Sequence, residues 1–276
     1  MNSIRKSTRR TILKTGFTAL AASAISAKDA FAMPKIPGET RVILLVGDYW
    51  HSGTTQEFHW RSVMKNSGMT LLFAQSSQFV TAEALDKADL FIVARYAGPD
   101  TLGWSPNPII GDRPSGAPWM TDEQENAIVA NVNRGMGLLS MHCSIWNPER
   151  KKYMELLGVR EPKMHGPIQH VKIHDINSSH PITKGINNFD ISLDENFGAE
   201  IDESKVTLLY KSTGQQDNRL DNAAWCRDVG KGRVAALLFG HTPAPFHTAE
   251  VKQIMWNASY WAMKRDIPDG GFKAGY

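Results

Sequence analysis

Three apolar runs in the sequence lead to histidines, the side chain that most often binds metal ions and transfers protons near neutral pH. The runs 42–46, 138–141 and 234–239 are followed by His51, His142 and His241, respectively. Such runs predict buried β-strands, and an open α/β sheet binds its ligands at the carboxyl ends of its strands. The sequence therefore predicts a site at this rim of the sheet, with His247 as a further member a few residues beyond His241.

One carboxylate stands out as a partner for these histidines. Glu195 lies in the segment LDENF (193–197), where it is either part of the rim site or a solvated acid in a turn. We take His142, Glu195 and His241 as the predicted catalytic residues. Together with His247 they have the composition of a zinc site, although their spacing matches no standard motif. A divalent metal such as zinc is a candidate cofactor, and acid–base chemistry without a metal is the alternative.

The stretch GMGLLSMHCSIW (135–146) ends a predicted strand in a turn of the kind that lifts a nucleophile above the sheet in many α/β enzymes. A cysteine nucleophile would need a small neighbour and a His–acid pair behind it. Because Cys143 follows His142, a histidine at the apex leaves the thiol pointing back into the protein. We predict His142 at the apex and no thioester chemistry. Cys143 and Cys226 are then buried thiols, the alternative being one disulfide in an oxidising compartment.

The elements that must position these residues alternate between strand and helix. Predicted strands cover 42–46, 70–74, 90–94, 138–141, 171–174, 206–210 and 232–239, and predicted helices cover 57–68, 121–133 and 250–264. This alternation predicts an α/β fold with three layers and a doubly wound, mostly parallel sheet of the flavodoxin type. The segment 97–119, rich in Gly, Pro and Trp, predicts an ordered loop or lid.

The N-terminus has the layout of an export signal. A basic stretch containing the pair Arg9-Arg10 precedes an apolar segment and an A-x-A site at 30–32. Residues 1–32 are therefore predicted to be a twin-arginine signal peptide, and residues 33–276 a single periplasmic or secreted domain. The apolar segment is too short to span a membrane. Without residues 1–32, which carry six basic and one acidic side chain, the net charge changes from +3 to −2, which does not favour nucleic acid as a partner.

Several of these segments, taken in order, resemble the ThuA-like family of trehalose-utilisation proteins. The segments are GMGLLSMH (135–142), MHGPIQ (164–169), HPITKGI (180–186), LDENF (193–197), AAWCRDVGKGRVAALLFGHTPAPFH (223–247) and IMWNASYWA (254–262). YWHSG (49–53) is similar to the segment after the family's first strand, with Trp50 where the family usually has Arg. The resemblance covers nearly all of 40–264 and implies a class I glutamine amidotransferase-like fold.

The resemblance also implies roles for particular residues. His142 matches the histidine that replaces the amidotransferase cysteine, Glu195 the acid of the family's D-E-W-Y segment, and His241 the histidine of its last strand. His165 matches the histidine after the elbow helix, and His51 matches only loosely. The absence of a Gly-x-Cys-x-Gly elbow makes a glutaminase the disfavoured reading.

The family is associated with sugar metabolism and 3-keto-glycosides, so the expected ligand is a carbohydrate. His51, His165, His247 and Trp146 are the candidate substrate-binding residues. A 3-keto group acidifies the neighbouring C–H, and elimination of the glycosidic oxygen then needs a base, an acid and an electrophile on the ketone. A His/Glu site, with or without a metal, could supply all three. The alternative is a carbohydrate-binding protein without catalysis. Tryptophans 50, 60, 104, 119 and 146 could stack on a sugar or simply pack.

Overall fold

The apolar runs form the parallel centre of a nine-stranded sheet in the computed structural model, which describes residues 27–100, 117–269 and 272. The strands are β1 (Arg41–Val46), β2 (Thr70–Ala74), β3 (Leu90–Ala94), β4 (Gly137–Met141), β5 (Val159–Pro162), β6 (Ile168–His174), β7 (Phe189–Glu195), β8 (Ala199–Ile201), β9 (Thr207–Gly214), β10 (Leu220–Val229) and β11 (Gly232–Leu237). The sheet order is β2-β1-β3-β4-β11-β10-β9-β6-β7, and β5 pairs with β8 separately. The first five strands of this order are mutually parallel.

Helices cover both faces of the sheet. They are α1 (Ala27–Ala32), α2 (Gly53–Met64), α3 (Ala82–Asp86), α4 (Asp122–Arg134), α5 (Lys151–Leu157) and α6 (Ala249–Ala262). Alternate residues of β1 point to opposite sides, so that Val42 and Leu44 pack with α2 and α6, whereas Ile43 and Leu45 pack with α3, α4 and α5. Because both faces of β1 are covered, every residue in it is apolar or shielded. The predicted three-layer, mostly parallel α/β architecture is confirmed.

The other half of the sheet is antiparallel. Strands β10, β9, β6 and β7 are added in succession by antiparallel pairing. Because each antiparallel step reverses the direction, β9 and β7 run the same way as the five parallel strands. The carboxyl end of β7 therefore emerges at the same edge as the ends of β1, β4 and β11. The sequence analysis missed β7 and β10, and with them the mixed parallel and antiparallel character of the sheet.

Helix boundaries differ from the prediction where a cap lies upstream of the apolar pattern. Helix α2 begins before the predicted 57–68 because the Ser52 hydroxyl accepts the backbone N–H of Thr55. Thr121, the first residue of the predicted helix 121–133, caps α4 in a reciprocal capping box with Gln124. The prediction of a loop over 97–119 falls mostly on 101–116, which lie outside the described residues.

The N-terminal part of the described chain packs onto the domain. Phe31 of α1 is buried and stacks on Phe79 with ring centroids 5.1 Å apart. The predicted signal 1–32 thus overlaps a helix that contacts the fold, while residues 1–26 lie outside the described part. Over the described residues, the helices are all too short or too polar to cross a membrane.

Candidate functional site

A pocket of about 460 Å³ opens at the carboxyl ends of β1, β4 and β7 and beside the turn that follows β11. This volume is in the range of small-molecule sites. Its walls combine titratable and aromatic side chains: Trp50, His51, Tyr96, His142, Cys143, Trp146, Met164, His165, Glu195, Phe197 and His241. The structure thereby brings together six of the seven residues predicted for catalysis or substrate binding, five from the ends of β1, β4, β7 and β11 and His165 from the loop between β5 and β6.

His142 occupies the apex of the turn after β4. Its φ of 46° lies in the left-handed region, which costs a non-glycine residue free energy and is most often retained at functional sites. The imidazole is only 4% exposed, and neither ring nitrogen has a hydrogen-bond partner within the described chain. Buried polar atoms without partners are uncommon, so these two nitrogens indicate a position built for a ligand.

Glu195, the last residue of β7, is surrounded by three histidines. Its Oε2 is 3.5 Å from Nε2 of His142 and 3.3 Å from Nδ1 of His241, and its Oε1 is 3.0 Å from Nδ1 of His165. Burial raises the pKa of this carboxyl, but His142 and His165 outweigh burial, so the pKa lies well below the usual value. Glu195 is 8% exposed, which excludes the alternative of a solvated turn acid.

Asp194, next to Glu195, fastens the end of β7 to the turn after β11. Its carboxylate accepts the backbone N–H groups of Gly240, His241 and Thr242 at 2.8, 2.9 and 3.2 Å. The turn favours glycine at position 240 for two reasons. Its φ of 115° is one that residues with a side chain rarely adopt, and a Cβ there would lie close to the ring of Phe246. This buried carboxylate holds His241 beside Glu195, although Glu195 ends the edge strand β7 and His241 follows the central strand β11.

His51 is held by a carboxylate on one side and faces His241 on the other. Both carboxylate oxygens of Asp48 lie 2.8 Å from Nδ1 of His51, and its Nε2 lies 3.2 Å from Nδ1 of His241. Burial opposes protonation of His51, but Cys143 and Asp48 outweigh it and raise its pKa well above the usual value. Burial also disfavours ionised Asp48, yet His51 and the N–H groups of Tyr96 and Trp50 lower its pKa to about 2.

The pKa values of His165 and His241 are shifted in opposite directions. The hydrogen bond with Glu195 raises the pKa of His165, whereas burial lowers the pKa of His241 to about 4. Nδ1 of His165 faces two acceptors, Glu195 and the carbonyl of Gly166 at 2.8 Å, so this nitrogen carries the proton in the neutral ring. Among the described residues the proton-accepting Nε2 of His165 has no hydrogen-bond partner, and the side chain is 44% exposed.

Cys143 is a buried thiol and not half of a disulfide, as predicted; Cys226 is likewise free and buried. The sulfur of Cys143 lies 3.7 Å from Nδ1 and 3.8 Å from Nε2 of His51. Both of these nitrogens already face other groups, Asp48 and His241 respectively. Burial raises the pKa of the thiol in spite of His51. The arrangement Cys143–His51–Asp48 therefore lacks the directed base and the low pKa that a nucleophilic cysteine needs.

His247 does not reach the pocket, which corrects its placement at the rim. The segment after His241 turns away, so that the exposed His247 contacts His59, with ring centroids 5.2 Å apart, on the α2 side of the sheet. Of the tryptophans, Trp50 and Trp146 line the pocket, whereas Trp60 and Trp119 are buried in the core. Trp104 lies outside the described residues.

Two groups of side chains in the described chain are spaced to hold a metal ion. One is His142, Glu195 and His241, and the other is His51, His142 and Cys143. The first group retains three of the four residues predicted as ligands.

Asp48, Asp194 and Phe197 were missed by the sequence analysis. Asp48 carried a signal, because it lies two residues after the first buried strand, at the edge of the sheet where α/β proteins bind their ligands.

The fold and this pocket define a three-layer α/β protein in which a histidine stands at the apex of the turn after β4. The chain belongs to the ThuA family, described as trehalose utilisation, whose sequence profile matches residues 42–262. Its family description relates it to carbohydrate utilisation. No curated protein matches the chain in sequence.

Solved structures are similar to the chain in fold. A ThuA-like protein of Parabacteroides merdae is 16% identical, with a TM-score of 0.61, over 86% of this chain and 95% of that one. A ThuA-like protein of Bacteroides uniformis is 16% identical, with a TM-score of 0.60, over 83% and 93%. The carbohydrate deacetylase Agd3 is 12% identical, with a TM-score of 0.53, over 82% of this chain and 32% of that one.

Proposed function

We propose that the protein is an enzyme that acts on a carbohydrate, and specifically on a 3-keto-glycoside, a glycoside oxidised to a ketone at C3. The observation that carries this proposal is the arrangement of His142, His165 and His241 within 3.5 Å of the Glu195 carboxylate, inside a pocket of small-molecule size. The description of the family is consistent with a sugar substrate.

A divalent ion such as zinc is part of this proposal. His142, Glu195 and His241 would hold it, leaving a position open toward the pocket, as in catalytic zinc sites with three protein ligands. That neither ring nitrogen of His142 makes a hydrogen bond within the described chain supports this choice. When bound, such an ion would polarise the ketone oxygen of the substrate and stabilise the negative charge that develops there.

His165 would act as the base that removes a proton from the substrate and as the acid that returns it to the leaving group. Its free Nε2 accepts the proton from the carbon between the ketone and the glycosidic carbon. The electrons of that C–H bond form a carbon–carbon double bond, and the glycosidic C–O bond breaks with its electrons on oxygen. The protonated His165 then returns the proton to the departing oxygen, so no external oxidant or reductant is needed. Trp50 and Trp146 are placed to pack on the sugar ring.

Export to the periplasm or beyond by the twin-arginine route is also proposed, on the basis of Arg9-Arg10 and the A-x-A site. Replacing both arginines with lysine should retain the protein in the cytoplasm, and the exported form should begin near Met33 by mass spectrometry. An exported protein that keeps Phe31, which packs on Phe79, would contradict cleavage at this site.

The activity is tested by incubating the zinc-loaded protein with 3-keto-glucosides and with the unoxidised glucosides, and measuring the released leaving group. We expect release only from the keto substrates. His142→Ala should abolish it while His247→Ala, a change at an exposed histidine outside the pocket, should not. Binding of the sugar with no release by the wild type would contradict catalysis and identify a carbohydrate-binding protein.

A further inference from the structure

We propose that the protein prefers 3-keto-glycosides whose aglycone, the group that leaves, is uncharged and aromatic, and that Met164 and the surface next to it bind this group. The inference rests on the proposed function, in which His165 returns a proton to the departing glycosidic oxygen. That oxygen must then lie within hydrogen-bond distance of Nε2 of His165. The side chains around His165 therefore face the aglycone and determine which leaving groups fit.

The side chains beside His165 are apolar. Met164 precedes it in the chain, lines the pocket and is 62% exposed. The buried Phe197 stacks on the ring of His165, with centroids 6.2 Å apart and ring planes inclined by 28°. Trp146, also in the pocket wall, has its ring centroid 6.5 Å from that of Phe197. Because thioethers and aromatic rings both make favourable contacts with aromatic groups, this wall favours an aromatic aglycone.

The apolar surface continues from the pocket onto the neighbouring strands. Ile168, which is 44% exposed, is paired directly opposite Glu195, so the two side chains lie on the same face of β6 and β7. Since Glu195 lines the pocket, Ile168 and Met164 border its open side. Exposed apolar side chains that adjoin a pocket commonly mark the part of the surface that a ligand covers.

The loop that carries Met164 is held in place by backbone hydrogen bonds on both sides of this residue. The N–H groups of Lys163 and Gly166 donate to the carbonyls of Gly198 and Asn196, at 3.0 and 2.9 Å. Met164 is thus presented to solvent on a fixed backbone. Little conformational entropy of the loop is therefore lost when a ligand covers its side chain.

The charged groups near this loop favour an uncharged aglycone. Arg219 contacts the loop, but its guanidinium already donates to the carbonyl of Met164 and to the carboxylate of Asp221. The carboxylate of Asp217 lies against Gly166. Its negative charge opposes the binding of a phosphate or a carboxylate at this side of the pocket.

The test separates binding from catalysis. It uses carbon-linked analogues of 3-keto-glucosides, in which a CH2 group replaces the glycosidic oxygen so that elimination cannot release the group. Analogues that carry a benzyl, an ethyl or a glucosylmethyl group are titrated into the zinc-loaded full chain by isothermal calorimetry. We expect the benzyl analogue to bind at least about 10-fold more tightly than either of the others.

Met164→Ser should weaken binding of the benzyl analogue at least about fivefold and change that of the ethyl analogue by less than about twofold. Met164→Leu, which keeps an apolar side chain, should retain the preference for benzyl. Phe58→Ser, at an apolar residue that is 66% exposed and outside the pocket, is the matched control and should leave all three affinities unchanged. Circular dichroism establishes that each variant is folded, and sedimentation measures its oligomeric state, because a second copy of the chain is the other occupant that such a surface admits.

Equal binding of the benzyl and ethyl analogues, with methyl 3-keto-glucoside still cleaved by the wild type, would overturn this inference and leave the proposed function intact. A benzyl preference that depends on Met164, without cleavage of any 3-keto-glucoside, would support the apolar surface and contradict catalysis. Binding of none of the analogues and cleavage of no substrate would overturn both. A preference that is unchanged in Met164→Ser would overturn the role of this surface, and an altered oligomeric state of that variant would assign it to a contact between copies.

Discussion

Nε2 of His142 lies 3.5 Å from Oε2 of Glu195, although His142 follows a central strand and Glu195 ends an edge strand of the same sheet. The sheet must curl for the two to meet, and the three hydrogen bonds from the turn after β11 to Asp194 hold it in that form. The site is thus assembled by the antiparallel half of the sheet folding back over the ends of the parallel half.

Turnover should require the negative charge of Glu195, and a neutral side chain of the same shape should not replace it. Glu195→Gln keeps the side-chain volume but removes the charge that His142, His165 and His241 face. We expect turnover of a 3-keto-glycoside to fall at least about 100-fold in steady-state kinetics. Glu200→Gln, on an exposed residue nearby in the chain, is the matched control and should leave turnover unchanged. Equal activity in the two variants would exclude Glu195 from the chemistry.

The backbone at His142 should be strained. A left-handed φ costs a residue with a Cβ about 1–2 kcal/mol relative to glycine. His142→Gly should therefore unfold at a higher urea concentration than His142→Ala, by about 1 kcal/mol in the free energy of unfolding, whereas glycine usually destabilises relative to alanine. Because both variants lack the imidazole, their difference isolates the backbone. The usual order, with alanine the more stable, would contradict strain at the apex.

Asp194 should be a structural anchor of the site. Asp194→Ala leaves the N–H groups of Gly240, His241 and Thr242 buried without their acceptor. We expect a loss of about 3 kcal/mol in the free energy of unfolding, measured by urea denaturation. Asp190→Ala, on an exposed position of the same strand, should change it by less than about 0.5 kcal/mol. Similar effects of the two substitutions would show that the turn holds without Asp194.

The Asp48–His51 pair should stabilise the fold in a pH-dependent way. The pKa of Asp48 is lowered from 3.8 to about 2 by folding, so its ionised form contributes about 2 kcal/mol above pH 4. This stability is lost as the pH falls through about 2, where the carboxyl becomes protonated in the folded protein. The difference in the free energy of unfolding between wild type and Asp48→Asn should therefore shrink between pH 4 and pH 2. A difference that stays constant over this range would contradict an ionised Asp48.

The parallel half of the fold could be predicted from the sequence because its strands are buried on both faces. The uninterrupted apolar residues of 42–46 and 138–141 specify both the strands and the edge where their histidines lie. His142 at the apex followed from the same reasoning, since its neighbour Cys143 had to point inward.

The antiparallel half could not be predicted equally well. In β7 the apolar residues Phe189, Ile191 and Leu193 alternate with polar ones, but the structure exposes Leu193 and buries Asp194 and Glu195. The inward direction of Glu195 therefore did not follow from the alternation. The position of His247 depended on the path of the chain after Gly240, which tertiary contacts with α2 determine. Asp48 and Asp194 act through hydrogen bonds between distant elements, and no local pattern in the sequence encodes such bonds.

Catalysis by this pocket is tested most directly by following the proton that His165 is proposed to remove. Wild-type protein loaded with zinc is mixed with a 3-keto-glucoside in deuterated buffer, and the signal of the hydrogen between the ketone and the glycosidic carbon is recorded by proton NMR. The account predicts that this signal disappears with the wild type and persists with Glu195→Gln. If the signal persists with the wild type while saturation transfer shows that the sugar is bound, the site recognises carbohydrate without acting on it.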